Sequence, residues 1–407
     1  MNLRVKLLAD YYVGGTLQAI LKPATILLSK VLRRDHDLAR CSSLTFIKMM
    51  GGGSLVIAYP ALLATKNSPQ VKQLRLVTTS AVKPFAEILG VFDEIIVIRD
   101  NSAVTLIGDS LSALHKLFRC DAIVDLEVHS RLTTVFSVVT CAVNRVGFYT
   151  GISFWRQKLA THLLFCNISN GIYYFYDQIS TLFGGQAPDM GVCVSVFRKQ
   201  LGVKERIPDP GNLRIALAPC CSELGRERML QPKEWVEVLG RRFDREHHLE
   251  HPGRKIEIRL MGARGDQASL DQLSDVIRMA FPGVVTANYA GKTSLAESVR
   301  GLAEVDELIC IDSALLHYAR LLGIPTISFW GPTDPASRLR ESDVNRDEIH
   351  YHKLPCSPCV HVAQEPPCRG DNLCMRFAVN PDRVLETNPK WILAADPIDR
   401  FWRKGSP

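Results

Sequence analysis

The chain has 407 residues, of which 46% are hydrophobic and 22% charged, so wholesale disorder is excluded and two or three folded domains are expected. The net charge of +7 suits acidic partners such as phosphates or anionic lipids without singling one out. No run of Lys and Arg resembles a nucleic-acid-binding arm, so nucleic acid is not an expected partner.

Residues 1–43 form an N-terminal extension. Charges interrupt its apolar stretch and no signal-peptide cleavage site follows, and no run of about 20 apolar residues could span a membrane. The stretch from Tyr11 to Leu32 is nevertheless apolar and is followed by Arg33 and Arg34. Two interpretations stay open: an amphipathic segment at a membrane interface, or an extension packed on the domain surface. A cytoplasmic protein is expected, peripheral at the inner membrane face under the first interpretation.

Residues 44–205 alternate short β-branched runs with amphipathic stretches. This alternation predicts parallel βαβ units. Strands are predicted at Leu44–Met49, Leu74–Thr79, Glu94–Arg99, Ala122–Glu127 and Arg145–Tyr149, and helices at Leu55–Thr65, Val82–Leu89, Leu111–Phe118 and Ser130–Ala142.

A cluster of prolines and glycines at Gly202–Asn212 ends this pattern, which then restarts. The second series predicts strands at Leu213–Pro219, Ile256–Met261, Val284–Tyr289, Glu307–Ile311 and Thr326–Trp330, and helices at Pro232–Phe243, Gln267–Phe281, Ser294–Val305 and Ala314–Leu322. The prediction is an α/β protein with two Rossmann-like doubly wound domains facing a cleft. The second domain covers 206–345, and a cysteine-containing segment of 346–407 ends in a short helix near Asp396–Arg403.

The segment from Glu307 to Arg340 carries the most informative motif. A buried strand ends at Asp312, Ser313 is placed to cap the following helix with its hydroxyl, and His317 lies in the first turns of that helix. The next strand runs into Gly331-Pro332-Thr333-Asp334-Pro335. Both loops follow the carboxyl ends of parallel strands, and the helix start offers amides for a diphosphate. A plain βαβ unit, with Asp312 and Ser313 as caps and His317 on the surface, is the simpler alternative.

This combination resembles the donor-site signature of glycosyltransferase family nine, the bacterial lipopolysaccharide heptosyltransferases. The resemblance covers about Leu44 to Arg340, includes Ala290-Gly291-Lys292-Thr293-Ser294-Leu295, and departs from the family pattern where Ala314 replaces glycine. It implies a GT-B fold and a nucleotide-sugar donor similar to ADP-heptose. The residues that it implies for donor binding are Asp312, Ser313, His317, Thr333 and Arg228; a solvated loop charge is the alternative for Arg228.

The same resemblance implies that the first domain binds the acceptor, a lipid-linked or core oligosaccharide. The family carries its general base, an aspartate, in a glycine-rich turn, where this chain has Gly51, Gly52, Gly53 and Ser54. A hydroxyl is a poor base near neutral pH. Glu127 and His129 follow a strand's carboxyl end and are the candidate replacements for the base. Three alternatives stay open: these two residues bind the acceptor without taking its proton, the acceptor is acidic enough to need little assistance from a base, or catalysis has been lost.

Four cysteines cluster near the end of the chain, at Cys356, Cys359, Cys368 and Cys374. Their spacing is typical of a closed structural zinc site, with reduced thiols or two disulfides as alternatives. The other eight are expected to be reduced thiols.

Taken together, the sequence predicts an inverting glycosyltransferase that moves heptose or a related sugar to a lipopolysaccharide core or other cell-surface glycan. No catalytic cofactor is expected, because helix amides and cations can neutralise the leaving diphosphate. A catalytically silent sugar-nucleotide-binding protein on the same fold, and a sugar-nucleotide epimerase, are the rival hypotheses.

Overall fold

The computed structural model describes residues 3–151, 153–167, 169–204, 206–245, 254–360, 366, 368 and 372–382. The chain divides into two compact units, one formed by Met1–Gly202 with Ala336–Asp343 and the other by Val203–Pro335 with Val344–Pro407. Each unit is built on a six-stranded parallel sheet. The helix predicted near Asp396–Arg403 lies outside the described residues.

The sheet of the first unit has the strand order β3-β2-β1-β4-β5-β6. Neighbouring β1 and β4 are paired in parallel, with Ile47 opposite Asp125. The strand order therefore reverses between these two strands, and in doubly wound sheets ligands bind beyond the carboxyl ends of the strands at such a reversal. The strands are β1 (Ser43–Lys48), β2 (Gln73–Thr79), β3 (Glu94–Ile98), β4 (Ala122–Asp125), β5 (Asn144–Tyr149) and β6 (His162–Phe165).

Helices cover both faces of this sheet, and an N-terminal pair precedes it. Apolar side chains of β1, β2 and β4 pack with Ala113 and Leu117 into a buried core. No helix in the described part of the chain is both long and apolar enough to cross a membrane. The helices are α1 (Leu3–Ala9), a π-helix (Asp10–Gly14), α2 (Gly15–Leu32), α3 (Gly52–Ile57), α4 (Tyr59–Lys66), α5 (Lys83–Leu89), α6 (Ala103–Lys116), α7 (Arg131–Val139), α8 (Ile172–Leu182) and α9 (Met190–Leu201), with 3-10 turns at Leu38–Arg40 and Phe154–Arg156.

The second unit repeats the same topology. Its strand order, β12-β11-β10-β7-β8-β9, reverses between β7 and β10. The strands are β7 (Asn212–Ala218), β8 (Lys255–Leu260), β9 (Val284–Asn288), β10 (Glu307–Ile311), β11 (Thr326–Trp330) and β12 (Asp347–Tyr351). The helices are α10 (Pro232–Arg245), α11 (Gln267–Ala280), α12 (Leu295–Leu302), α13 (Ala314–Leu321) and α14 (Leu373–Val379), with 3-10 turns at Glu223–Arg228, Arg264–Asp266 and Pro335–Ser337.

The fold class is confirmed: both units are doubly wound Rossmann-like α/β structures. The cleft between them, and the division into an acceptor side and a donor side, stay predictions. One difference from the predicted elements concerns the segment after residue 345, where β12 extends the sheet beside β11. Leu354, Met375 and Phe377 then join the core of the second unit, so this segment belongs to that fold.

Candidate functional site

The candidate residues lie beyond the strands at which each sheet reverses its order. In the first unit, the glycine-rich turn follows β1, and Glu127 and His129 follow β4. In the second unit, Arg228 lies in the loop after β7, and Asp312 directly follows β10. Each set therefore occupies the place where doubly wound folds bind ligands.

Asp312 is the centre of the cluster in the second unit. It is buried, and its Oδ2 accepts a hydrogen bond of 2.8 Å from the Thr333 hydroxyl. The same oxygen lies 3.3 Å from Nη1 of Arg228, which also donates to the Asp312 carbonyl oxygen at 3.1 Å. The structure thus brings together residues from the loops after β7, β10 and β11, as the sequence predicts.

His317 also belongs to this cluster, because its Nε2 lies 3.8 Å from Oδ1 of Asp312. Only 6% of its surface is exposed. The alternative that His317 is a surface residue is therefore wrong.

Ser313 departs from the expectation. It precedes α13 with extended backbone angles, but its side chain makes no hydrogen bond to the first turn, so the predicted side-chain cap is wrong. Its Oγ is buried, as is Nε of Arg228, and neither atom has a hydrogen-bond partner in the described part of the chain. Two buried polar atoms thus stay unpaired beside the Asp312 carboxylate, and such atoms are costly unless a ligand pairs with them.

Hydrogen bonds from the cysteine-containing segment hold the loop Gly331–Pro335 in place. The Ser357 hydroxyl donates to the Gly331 carbonyl, and the amides of Cys359 and Val360 donate to the Pro332 carbonyl at 3.1 and 3.0 Å. Gly331 has no room for a side chain, since a Cβ there would lie 2.7 Å from Sγ of Cys374. Thr333 therefore sits on a braced loop.

The structural zinc at Cys356, Cys359, Cys368 and Cys374 stays a prediction. All twelve cysteines fall within the described residues and are free thiols, and no group of three or more His, Cys, Asp or Glu among those residues could hold a metal. Cys374 turns its sulfur into the core against Gly331. Burial raises the pKa of Cys374 to about 12 and that of Cys359 to about 11, so both remain neutral near pH 7. The expected reduced state of the thiols agrees with this arrangement.

In the first unit, the glycine-rich turn adopts a conformation that depends on its glycines. Gly51 has a φ of 74°, in the left-handed region that favours glycine, and α3 begins directly after it. A Cβ on Gly52 would lie 2.4 Å from the ring of Phe85, so no side chain fits there. Ser54 is half-buried, and its backbone amide bonds the Gly51 carbonyl at 3.0 Å.

Glu127 holds this turn in place. Its Oε1 accepts hydrogen bonds from the amides of Met49 and Met50, at 2.8 and 2.9 Å, and lies 3.2 Å from Nζ of Lys48. Burial disfavours the charge on Lys48, yet the Glu127 carboxylate raises the pKa of Lys48 overall. One oxygen of Glu127 thus has three donors, while Oε2 has none among the described residues.

His129 is exposed and lies within electrostatic reach of the same groups. Desolvation, and then the positive charge of Arg156, lower the pKa of His129 from its ordinary value of 6.5. The imidazole is therefore mostly neutral at pH 7, the form that can accept a proton.

Two residues beside this cluster had no sequence signal. Arg156 is 1% exposed and lies 3.1 Å from Oδ2 of Asp125, and it donates to the Glu127 carbonyl. Burial raises the pKa of Asp125 while Arg156 opposes that rise. Asp10 accepts hydrogen bonds from the amides of Arg131 and Leu132 at the start of α7. Both contacts join residues far apart in the chain, which no local pattern reveals.

Comparison with known proteins places the second unit in a family context. Residues 247–368 match Glycosyltransferase family 9 (heptosyltransferase), so the resemblance is confirmed over that stretch. Lipopolysaccharide heptosyltransferase 1 of Pseudomonas aeruginosa is 32% identical over 79 residues, which cover 19% of this chain. The matched stretch covers 21% of the length of that relative.

Solved structures agree on the fold of most of the chain. The E. coli ADP-heptose lipopolysaccharide heptosyltransferase II aligns with a TM-score of 0.56 and 15% identity, covering 84% of this chain and 99% of its own. The E. coli heptosyltransferase WaaC with ADP aligns with a TM-score of 0.58 and 14% identity, again over 84% and 99%. A glycosyl transferase family 9 structure from Veillonella parvula gives 0.57 and 14%, over 88% and 99%. The chain therefore has the two-domain α/β fold of these heptosyltransferases.

Proposed function

We propose, from the family 9 match over residues 247–368, that the protein is an inverting glycosyltransferase. Its donor is an ADP-heptose-like nucleotide-sugar, and its acceptor is a lipopolysaccharide core or another lipid-linked or cell-surface glycan. Relatives of the same fold support this donor: one E. coli structure holds ADP and another ADP-2-deoxy-2-fluoro heptose. The reaction would take place at the cytoplasmic face of the inner membrane, where such a donor is available.

The observation that carries the proposal is the pair of unpaired polar atoms beside Asp312. Asp312 holds the guanidinium of Arg228 and the hydroxyl of Thr333 by direct contacts. Ser313 Oγ and Arg228 Nε are left as donors without a partner among the described residues. The first amides of α13 and the positive end of its dipole add to them. A diphosphate supplies the acceptors that this set lacks, and in this proposal Thr333 and His317 contact the sugar.

The proposed reaction is a single displacement at the anomeric carbon. The acceptor oxygen forms a bond to this carbon, the bond to the diphosphate oxygen breaks, and the diphosphate leaves with the electron pair. Arg228 and the amides of α13 neutralise the developing charge, so the reaction needs no catalytic metal. The proton of the acceptor hydroxyl passes to a general base.

His129 is the proposed base, and Glu127 the residue that positions the glycine-rich turn. His129 is exposed and mostly neutral at pH 7, whereas Oε1 of Glu127 already accepts two backbone hydrogen bonds. Gly52, Gly53 and Ser54 would then present their backbone to the acceptor. Ser54 takes the place of the family's aspartate but not its role.

The decisive experiment measures turnover of purified full-length protein with a panel of nucleotide-sugars. Binding is scored first by thermal shift, since a ligand specific to the folded state raises the melting temperature. ADP-heptose is expected to give the largest shift, and release of ADP in the presence of a lipid-linked core acceptor is expected to follow. A panel in which no nucleotide-sugar shifts the melting temperature would refute the proposed function.

A catalytically silent sugar-nucleotide-binding protein is the second candidate, because Ser54 stands at the position of the family's base. It predicts a thermal shift with ADP-heptose but no ADP release with any acceptor. An epimerase would instead convert the sugar without an acceptor. The three outcomes are distinct in one assay that follows ADP, the donor sugar and the glycosylated product.

A further inference from the structure

The N-terminal arm, residues 3–34, exposes an unusual amount of apolar surface. Nearly half of the exposed large apolar side chains in the described chain lie on it, although it makes up less than a tenth of the sequence. In α2 the side chain of Gln18 is buried, and all of the residues that follow it in the helix are half-buried or exposed. Contiguous exposed apolar surface of this kind marks an interaction site.

Six apolar residues of α2 form one stripe. Exposed side chains recur three or four residues apart, the spacing that places them on one face of a helix. Gln18 lies on another face, where its amide reaches the Arg131 carbonyl at 3.4 Å. The stripe therefore points away from the protein body; it consists of Leu17, Ile20, Ala24, Leu27, Leu28 and Val31.

The charge of the arm is strongly one-sided. Lys and Arg occur at positions 4, 6, 22, 30, 33 and 34, whereas Asp10 is the single acidic residue between positions 3 and 34. Asp10 is engaged at the start of α7, where it accepts from the Ser130 hydroxyl at 2.6 Å. An apolar stripe on a basic helix fits the boundary of an anionic lipid layer, where acyl chains and acidic headgroups meet.

The arm is fixed to the loop that carries Glu127 and His129. Asp10 binds the first amides of α7, which follows that loop. Gly14 packs so closely that a Cβ would lie 2.8 Å from Cβ of Arg131, and the Arg131 guanidinium lies 4.8 Å from the ring of Tyr11. A surface that binds the arm thus sets the orientation of the first unit's candidate site.

We propose that residues 3–34 form an amphipathic arm that lies in the interface of an anionic membrane and orients the first unit toward it. The lipid supplies the apolar layer for the stripe and the acidic headgroups for the basic residues. This inference is independent of the transfer reaction, because it needs neither donor nor acceptor.

The test is flotation of the full chain with phospholipid vesicles in the absence of nucleotide-sugar. Vesicles of equal parts phosphatidylcholine and phosphatidylglycerol should carry the protein upward, and phosphatidylcholine alone should carry far less. Raised salt should weaken the binding, since screening acts on the electrostatic part. Failure of the wild-type protein to float with either vesicle overturns the proposal.

A triple variant tests the stripe. Replacing Ile20, Leu27 and Val31 by Gln keeps helix propensity and should lower the vesicle partition coefficient by about tenfold or more, because three apolar side chains leave the interface. The matched control replaces Val104, Ile107 and Leu111, exposed on α6 of the same unit, by Gln and should bind as the wild type does. Equal binding of the arm variant and the wild type, or an equal loss in the control, contradicts the assignment.

Two further measurements distinguish a lipid surface from a second copy of the chain as the partner of the stripe. Lys22→Gln with Lys30→Gln should reduce binding to phosphatidylglycerol vesicles severalfold and flatten its salt dependence. Sedimentation velocity without vesicles reports self-association. Dimers that vanish in the stripe variant, together with no vesicle binding by the wild type, would assign the stripe to a second copy of the chain and overturn the lipid proposal. Circular dichroism melts identify any variant that has lost its fold.

Discussion

The two sheets share one topology, yet the polar groups at the two strand-order reversals differ in whether they are paired within the protein. In the first unit the protein supplies its own anions: the Glu127 carboxylate accepts the amides of Met49 and Met50, and Asp10 binds the start of α7. In the second unit, Ser313 Oγ and Arg228 Nε keep no partner among the described residues.

The difference indicates where a ligand contributes most of the binding contacts. Donors that are already paired within the protein gain little from an incoming anion, whereas buried unpaired donors gain a great deal. We therefore expect tight, diphosphate-dependent binding at the second unit and weak, shape-dependent binding at the first. Four substitutions test this contrast.

The largest effect is expected for Asp312→Asn. The amide loses the charge that holds Arg228, so kcat/KM for the donor should fall by about 10²–10³-fold, the range seen when an electrostatic catalytic group is removed. Steady-state kinetics with varied donor measure this. Asp275→Asn, an exposed carboxylate paired with Arg278 in the same unit, is the control and should leave kcat/KM unchanged. Equal kinetics in both variants would remove Asp312 from the site.

The next effect concerns His129→Gln, which should lower kcat by about 10²-fold if the imidazole takes the acceptor proton. Only the neutral ring accepts a proton, so wild-type kcat/KM should rise with pH through the lowered pKa of His129, below 6.5, and be lost as pH falls. The variant should lack this acid limb. His115→Gln, exposed on α6, serves as the control. A large loss in Glu127→Gln with full activity in His129→Gln would reverse the assignment of base and positioning residue.

A smaller effect with a distinctive pattern is expected for Ser313→Ala. Donor affinity should drop about tenfold, because a hydrogen bond to a charged phosphate is lost, while the unliganded melting temperature stays the same or rises. Calorimetric titration and thermal melts provide the two readings. Ser102→Ala, at the cap of α6, should show the opposite pattern: a loss of about 1 kcal/mol in the free energy of unfolding and unchanged donor affinity. A destabilised Ser313→Ala protein would contradict the unpaired hydroxyl.

The smallest effect is expected for Asp10→Asn. Loss of the negative charge at the start of α7 should reduce the free energy of unfolding of the first unit by about 0.3–1 kcal/mol and leave nucleotide affinity unchanged. Urea unfolding followed with hydrogen exchange in residues 10–20 measures it. Asp37→Asn, which removes the charge from the residue that caps the 3-10 turn Leu38–Arg40, is the comparison. Unchanged protection in residues 10–20 would mean that Asp10 does not hold the arm.

The sequence predicts the interior strands of both sheets and one edge strand of each, β3 and β9, but it misses the other edge strand of each sheet. β10 and β11 have the predicted bounds, because a buried parallel strand is a continuous apolar run between breakers. β6 and β12 were not predicted, since edge strands bury little: β12 reads Asp-Glu-Ile-His-Tyr and shows no apolar run. The same limit applies to its partner in the core, α14, which is too short to show helical periodicity.

In the candidate site, too, some features follow from the sequence and others do not. The grouping of Asp312, His317 and Thr333 follows from strand order alone, because consecutive strands end at the same edge of a sheet. The predicted cap at Ser313 was wrong, because the residue type and its position do not by themselves determine whether the hydroxyl accepts a hydrogen bond from the first turn. Asp10 and Arg156 were missed because their partners lie more than 25 residues away along the chain. Such contacts depend on tertiary packing.

The hydrogen bonds that hold the loop Gly331–Pro335 limit how far the chain can be shortened. A truncated protein that ends where the regular alternation ends, before residue 346, would lose an outer strand, the helix over it and the carbonyl contacts of the braced loop together. Residues 347–360 and 372–379 thus support the loop that carries Thr333, and removing them would loosen this loop as well as expose a sheet edge.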